Sequence, residues 1–159
     1  MTDILQKVSK KLHEKNLSLV CAESCTGGWV AKQITDLTGS SAIFDRGFVT
    51  YSNQAKQDML GVSKRSLDAF GAVSEEVASE MAEGAINHSA ANIALSITGI
   101  AGPTGGSEDK PVGMVCFGWL IRGEKIRTET KYFKGDRNSV REQAVDFSLN
   151  GIIKQIDES

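Results

Sequence analysis

Three residues of this chain have the side chains and settings for attack on a carbonyl carbon: Ser24, Tyr51 and Lys56. Ser24 stands in Ala22-Glu23-Ser24-Cys25-Thr26-Gly27-Gly28, between an apolar run with strand-like alternation and a stretch, Trp29 to Leu37, whose apolar residues recur at helical steps. A hydroxyl on such a strand-to-helix turn faces unpaired backbone N–H groups and the positive end of a helix dipole, which suits either a helix cap or a nucleophile that needs oxyanion donors nearby. A serine nucleophile also requires a proton acceptor. Neither His13 nor His88 falls near a predicted strand end, whereas Lys56 lies one turn into the helix that follows the strand delivering Tyr51. A lysine, with an ordinary pKa of about 10.4, serves as a base near neutrality only if burial or positive potential depresses it. The Tyr51 hydroxyl could bridge Ser24 and Lys56 or orient a substrate, and oxyanion donors could come from the Ser24 turn or the Thr98-Gly99 turn. Each residue also has a plain structural reading: Ser24 as an N-cap, Lys56 as a solvated helix residue, Tyr51 as a half-buried strand aromatic, and Thr98 as a turn residue.

The same region offers phosphate-binding features. The helix start at Thr26-Gly27-Gly28 and the glycine-rich run from Gly99 to Gly106 present backbone N–H groups that a phosphate can approach, and Arg137 in Gly135-Asp136-Arg137 could add a charged fork or pair with Asp136 or Glu142. The glycine pattern is neither a Walker motif nor GxGxxG. Glu23 either neutralises a nearby base or ends its strand, and Trp29 and Trp119 are expected in the core. Cys25, also at a predicted helix start, opens a rival reading as a stabilised thiolate.

Composition bounds the rest. The 159 residues fit one domain, 1–159, and a formal net charge of −2 with Lys and Arg scattered among acids gives no footprint for nucleic acid. The three cysteines lack the paired spacing of a disulfide framework, and no His, Cys and carboxylate set has ligand spacing, so neither a metal nor another cofactor is expected. No stretch is apolar enough for a membrane span or a secretory signal, and the cytoplasm is the expected compartment.

The elements that must position these groups follow from periodicity. An amphipathic first helix ends near Asn16; strands are predicted over 17–22, 44–51, 92–97, 112–121 and 125–133. Helices are predicted over 26–37, closed by Gly39 as a left-handed cap, over 52–60 with Ser52-Asn53 as the cap and Gly61 as the stop, from 62, from the Ser74 cap onward with Val77, Met81, Ala85 and His88 on one face, and over 139–156. Strands alternating with helices early and a hairpin around Arg122-Gly123-Glu124 late imply a three-layer α/β/α sandwich with a mixed, partly antiparallel sheet. Ligands of such sheets gather beyond the carboxyl ends of the strands, and here those ends carry Ser24, Tyr51 and Thr98.

Taken together with Phe48-Val49-Thr50-Tyr51-Ser52-Asn53, Gly71-Ala72-Val73-Ser74, Thr98-Gly99-Ile100-Ala101-Gly102-Pro103 and Lys110-Pro111-Val112-Gly113, the Glu-Ser-Cys-Thr-Gly-Gly segment resembles the CinA C-terminal domain family over essentially the whole chain. That family includes stand-alone bacterial nicotinamide-nucleotide amidases. The resemblance implies hydrolysis of the carboxamide of nicotinamide mononucleotide to nicotinate mononucleotide and ammonia, with Ser24 as nucleophile, Lys56 as its base and Tyr51 assisting. It also implies a ligand site lined by Thr98, Gly99, Ala101 and Arg137, with no metal and often a homodimer. Relatives with an additional N-terminal domain couple it to a pyrophosphatase activity that the resemblance does not extend to this chain. A non-catalytic nucleotide-binding or regulatory module is the alternative within the same family.

Overall fold

The structure, a computed structural model, describes residues 2–159; Met1, at the start of the predicted first helix, lies outside the described residues. Five strands form one sheet in the order β2-β1-β3-β4-β5, where β1 is Leu19–Glu23, β2 Phe44–Val49, β3 Ile93–Gly99, β4 Met114–Ile121 and β5 Arg127–Tyr132. β1 runs parallel to both β2 and β3, and β4 runs antiparallel to both β3 and β5, the mixed sheet that the early crossovers and late hairpin imply. The alternation of β1 splits its side chains between two layers, Leu19 and Cys21 in one core and Val20 and Ala22 in the other. Helices α1 (Thr2–Lys15), α2 (Trp29–Thr35) and α6 (Arg137–Glu158) pack into the first core, and α3 (Asn53–Leu60), α4 (Lys64–Phe70) and α5 (Glu75–Asn87) into the second. The result is the expected three-layer α/β/α sandwich. Among the described residues, no helix is long and apolar enough to cross a membrane.

Several boundaries differ from the periodicity reading, each for a local reason. The second helix begins at Trp29 rather than 26, because Gly27 and Gly28 both have positive φ (58° and 100°) and form a turn that residues with a Cβ adopt only at a cost. That helix ends at Thr35 with Asp36 as its C-cap, and Gly39 instead precedes a short 3-10 turn over Ser40–Ala42. The strand after it stops at Val49, so Thr50 and Tyr51 belong to the connector. Its first residue is tied back by Thr50 N–H donating to the Glu23 carbonyl at 2.8 Å. Ser52, Gly61 and Ser74 hold the cap positions expected of them, Ser52 accepting from Ala55 N–H and Ser74 from Val77 N–H. Val77, Met81 and Ala85 form the buried face of α5, while His88 leaves that face as an exposed C-cap. The last helix starts at Arg137, two residues before the predicted point, because the Asp136 carboxylate accepts from Ser139 N–H at 2.8 Å.

Helix α5 governs where α3 can lie. A Cβ on Gly84 would sit 2.0 Å from the Leu60 carbonyl oxygen, so the two helices meet backbone to backbone at that point. Leu60 ends the same two-turn helix that carries Lys56.

Candidate active site

The carboxyl ends of β1, β2 and β3 open on one cavity of about 310 Å³, at the low end of the range typical of small-molecule sites. Ser24, Tyr51, Lys56, Thr98, Gly99, Ala101 and Arg137 all contribute to its walls, from four separate stretches of chain. Thr26 and Gly27 do not. They face a different surface hollow with Trp29, Lys32 and Arg141, on the other side of the Ser24 turn.

At the inner end lies a buried pair. The Lys56 ammonium is 2.9 Å from Ser24 Oγ, 2.7 Å from the Thr50 carbonyl and 3.4 Å from the Tyr51 carbonyl. Lys56 is only 1% exposed and Ser24 7%. A lysine this buried is uncommon without a carboxylate partner. Among the described residues, no acid forms an ion pair with it. Burial therefore lowers its pKa to about 8 from 10.5. The two carbonyls also fix the nitrogen's orientation. In the neutral amine they take its two N–H groups, which leaves the lone pair for the Ser24 proton; in the ammonium form all three partners accept.

Ser24 is not a helix cap. Its N–H donates to the Ile97 carbonyl at 3.0 Å, joining the turn to β3, and the N-cap of α2 is Gly28, which has no side chain to offer. The capping is done by Glu23. Its carboxylate accepts from Val30 N–H at 3.0 Å, Ala31 N–H at 3.1 Å and the Thr26 hydroxyl at 2.6 Å, so the residue neither neutralises the base nor merely ends the strand. Among the described residues the N–H of Cys25, immediately after Ser24, has no partner within the protein. That leaves it available for an oxyanion. The Cys25 thiol itself is pushed up to about 12 by burial, which removes the ground for thiolate chemistry. Trp29 is half-buried rather than core, with the Arg141 guanidinium 5.4 Å from its ring centre, whereas Trp119 is in the core as expected.

The outer end is exposed. Tyr51, 65% exposed, does not bridge Ser24 and Lys56 with its hydroxyl. That hydroxyl accepts from Arg137 Nη2 at 3.1 Å, and only the backbone carbonyl of Tyr51 faces Lys56. Arg137 donates its other terminal nitrogen to the Gly102 carbonyl at 2.8 Å and pairs with neither Asp136 nor Glu142. The guanidinium thus ties the connector after β2 to the glycine-rich loop across the mouth. Among the described residues, the N–H groups of Ala101, Gly102, Thr104 and Gly105 in that loop have no partner within the protein. The Thr98 hydroxyl is taken by the Ala72 carbonyl at 2.9 Å, so Thr98 shapes the wall rather than presenting a free group. Sequence reasoning assigned no site role to Asn53 or to Ala72 and Val73, which also line the cavity. Their signal was present in the Tyr-Ser-Asn and Gly-Ala-Val-Ser segments, but no chemistry of those side chains marked it.

Comparison with known proteins gives a consistent picture. A sequence profile described as the CinA C-terminal domain matches residues 1–156. The nicotinamide-nucleotide amidohydrolase PncC of Escherichia coli K12 is 51% identical over 156 residues, covering 98% of this chain and 94% of that protein. Its counterpart in Enterobacter agglomerans is also 51% identical, over 94% of this chain and 91% of that protein. Among solved structures, a CinA superfamily protein of Klebsiella pneumoniae superposes with a TM-score of 0.95 at 36% identity, covering 99% of this chain and 98% of that one. A competence/damage inducible protein of Agrobacterium tumefaciens superposes with a TM-score of 0.90 at 43% identity, over 96% and 94% of the two chains.

Proposed function

Since the chain belongs to the CinA C-terminal domain family, we propose that it is a nicotinamide-nucleotide amidase that hydrolyses the carboxamide of nicotinamide mononucleotide through Ser24 activated by Lys56. The observation that carries this reading is the 2.9 Å contact between Lys56 Nζ and Ser24 Oγ at the closed end of a ligand-sized cavity. The names of the two bacterial amidohydrolases, each half identical to this chain over nearly its full length, support the substrate.

In this mechanism neutral Lys56 takes the Ser24 proton as Oγ attacks the carboxamide carbon. The carbonyl oxygen becomes an oxyanion near the free Cys25 N–H. As the C–N bond breaks, Lys56 returns the proton to the departing nitrogen and ammonia leaves. Water then attacks the Ser24 ester, Lys56 takes its proton and passes it to Ser24, and nicotinate mononucleotide is released. Only a pKa near 8 lets one amine do both jobs close to neutrality, because an ordinary lysine holds its proton too firmly to accept another from serine. The 5′-phosphate lies at the mouth, against the Arg137 guanidinium and the free loop N–H groups. No step calls for a metal, and the reading includes action in the cytoplasm as a homodimer.

The test is release of ammonia and nicotinate mononucleotide from nicotinamide mononucleotide by the purified protein. Ammonia formation that disappears in Ser24→Ala supports the reading. Tight binding of the nucleotide without ammonia would replace it with the non-catalytic module.

A further inference from the structure

The turn that carries Ser24 is tied by a side chain that does not line the cavity. Glu23 is 1% exposed, lies directly before Ser24, and accepts four hydrogen bonds: from Thr26 Oγ1, Val30 N–H, Ala31 N–H and, at 3.5 Å, Cys21 Sγ. Two of its partners are the first orphan donors of α2, a helix whose own N-cap position is a left-handed glycine without a side chain. The carboxylate therefore reaches across the turn and does from the strand what an N-cap Ser or Asp does from within the helix. By holding Thr26 and the helix start at once, it closes the loop 24–28 that carries the nucleophile.

The backbone of the same residue anchors the base. The Glu23 carbonyl accepts from Thr50 N–H at 2.8 Å, and the Thr50 carbonyl in turn accepts from Lys56 Nζ at 2.7 Å. One residue thus lies on the path to Ser24 through its side chain and on the path to Lys56 through its main chain. We propose that Glu23 is a positioning residue for the reaction: its carboxylate, by capping α2 from the strand, holds Ser24 Oγ in register with Lys56. This rests on the amidase reading for its consequence in turnover, but not for its consequence in serine reactivity.

Glu23→Gln keeps shape and volume while turning one accepting oxygen into a donor that opposes the N–H of Val30 or Ala31. The decisive measurement is the rate at which a sulfonyl fluoride or fluorophosphonate labels Ser24, followed by mass spectrometry of the intact protein and its peptides. Labelling is expected to fall tenfold to a hundredfold in Glu23→Gln, with kcat for nicotinamide mononucleotide falling in parallel and KM changing less than threefold. Thr26→Val, which removes one partner and leaves the carboxylate, is expected to cost threefold to tenfold and covers the case in which Glu23→Gln does not fold. Wild-type labelling rates in both variants, or a change confined to KM, would overturn the proposal, and so would a wild-type Ser24 that no probe labels. Brisk wild-type labelling without ammonia release would instead sink the amidase reading while leaving the role of Glu23 open to the same labelling comparison.

Discussion

The two ends of the cavity are built on opposite rules. At the inner end, Ser24 and Lys56 are buried and held by backbone carbonyls, and the one charge has no counter-charge. At the outer end, Tyr51 and Arg137 are exposed and hold each other, beside a loop in which the N–H groups of Ala101, Gly102, Thr104 and Gly105 are unpaired among the described residues. The inner arrangement tunes a proton affinity, which requires that water be excluded and geometry fixed. In the proposed function the outer one recognises charge, which requires donors that can exchange their present partners for a ligand's. On the proposed mechanism the difference separates chemistry from binding in space, and substitutions at the two ends should separate them in kinetics.

The largest effect belongs to the inner end. Ser24→Ala is expected to lower kcat by about 10⁴-fold or more, with the affinity for nicotinate mononucleotide measured by calorimetry nearly unchanged. Lys56→Met follows, with a loss of roughly 10³-fold in kcat/KM. In the wild type kcat/KM should climb about tenfold per pH unit below the Lys56 pKa and level off above about 8. The same group makes stability pH-dependent. Because its pKa in the fold is about 8 against 10.5 outside it, the unfolded chain binds more protons between those values, so stability rises with pH across that window. The penalty for holding the ammonium is present in full below pH 8. Denaturant titrations at pH 8 and 10 should show a rise in wild type of about 2 kcal/mol that is missing in Lys56→Met.

At the outer end the pattern should invert. Arg137→Ala is expected to raise KM for the nucleotide by about 10- to 100-fold, with kcat within threefold and with little effect on hydrolysis of the free base nicotinamide, if that is turned over at all. An equal fall in kcat would erase the distinction between the two ends. The smallest change is Tyr51→Phe, which frees Arg137 of one partner at 3.1 Å. A shift of about twofold to fivefold in KM is expected; a large fall in kcat would instead give the Tyr51 hydroxyl a part in the chemistry.

How far this could be read from the sequence depended on the kind of signal. Periodicity and caps placed every strand and helix to within a few residues, because Ser52, Ser74 and Gly61 act locally and their effects do not depend on the rest of the fold. Strand ends brought Ser24, Tyr51 and Thr98 to one rim for the same reason. What was hidden depended on side-chain direction. Nothing in the order of residues says that Tyr51 turns its hydroxyl outward to Arg137, or that Thr98 spends its own on Ala72. Glu23 was the hardest to anticipate. A residue at a strand's last position caps a helix seven residues on only because two glycines between them fold the chain back. Thr26 and Gly27 were expected at the ligand for their glycine-rich setting, yet that setting serves the turn itself.

The meeting of Gly84 with Leu60 extends the reach of the site well beyond its lining. A single methyl group added there would push on the far end of the short rod that bears Lys56, and the amine would move with it. A variant at this remote position would pass for a packing defect in a survey of folding, yet its first symptom would be a slower enzyme.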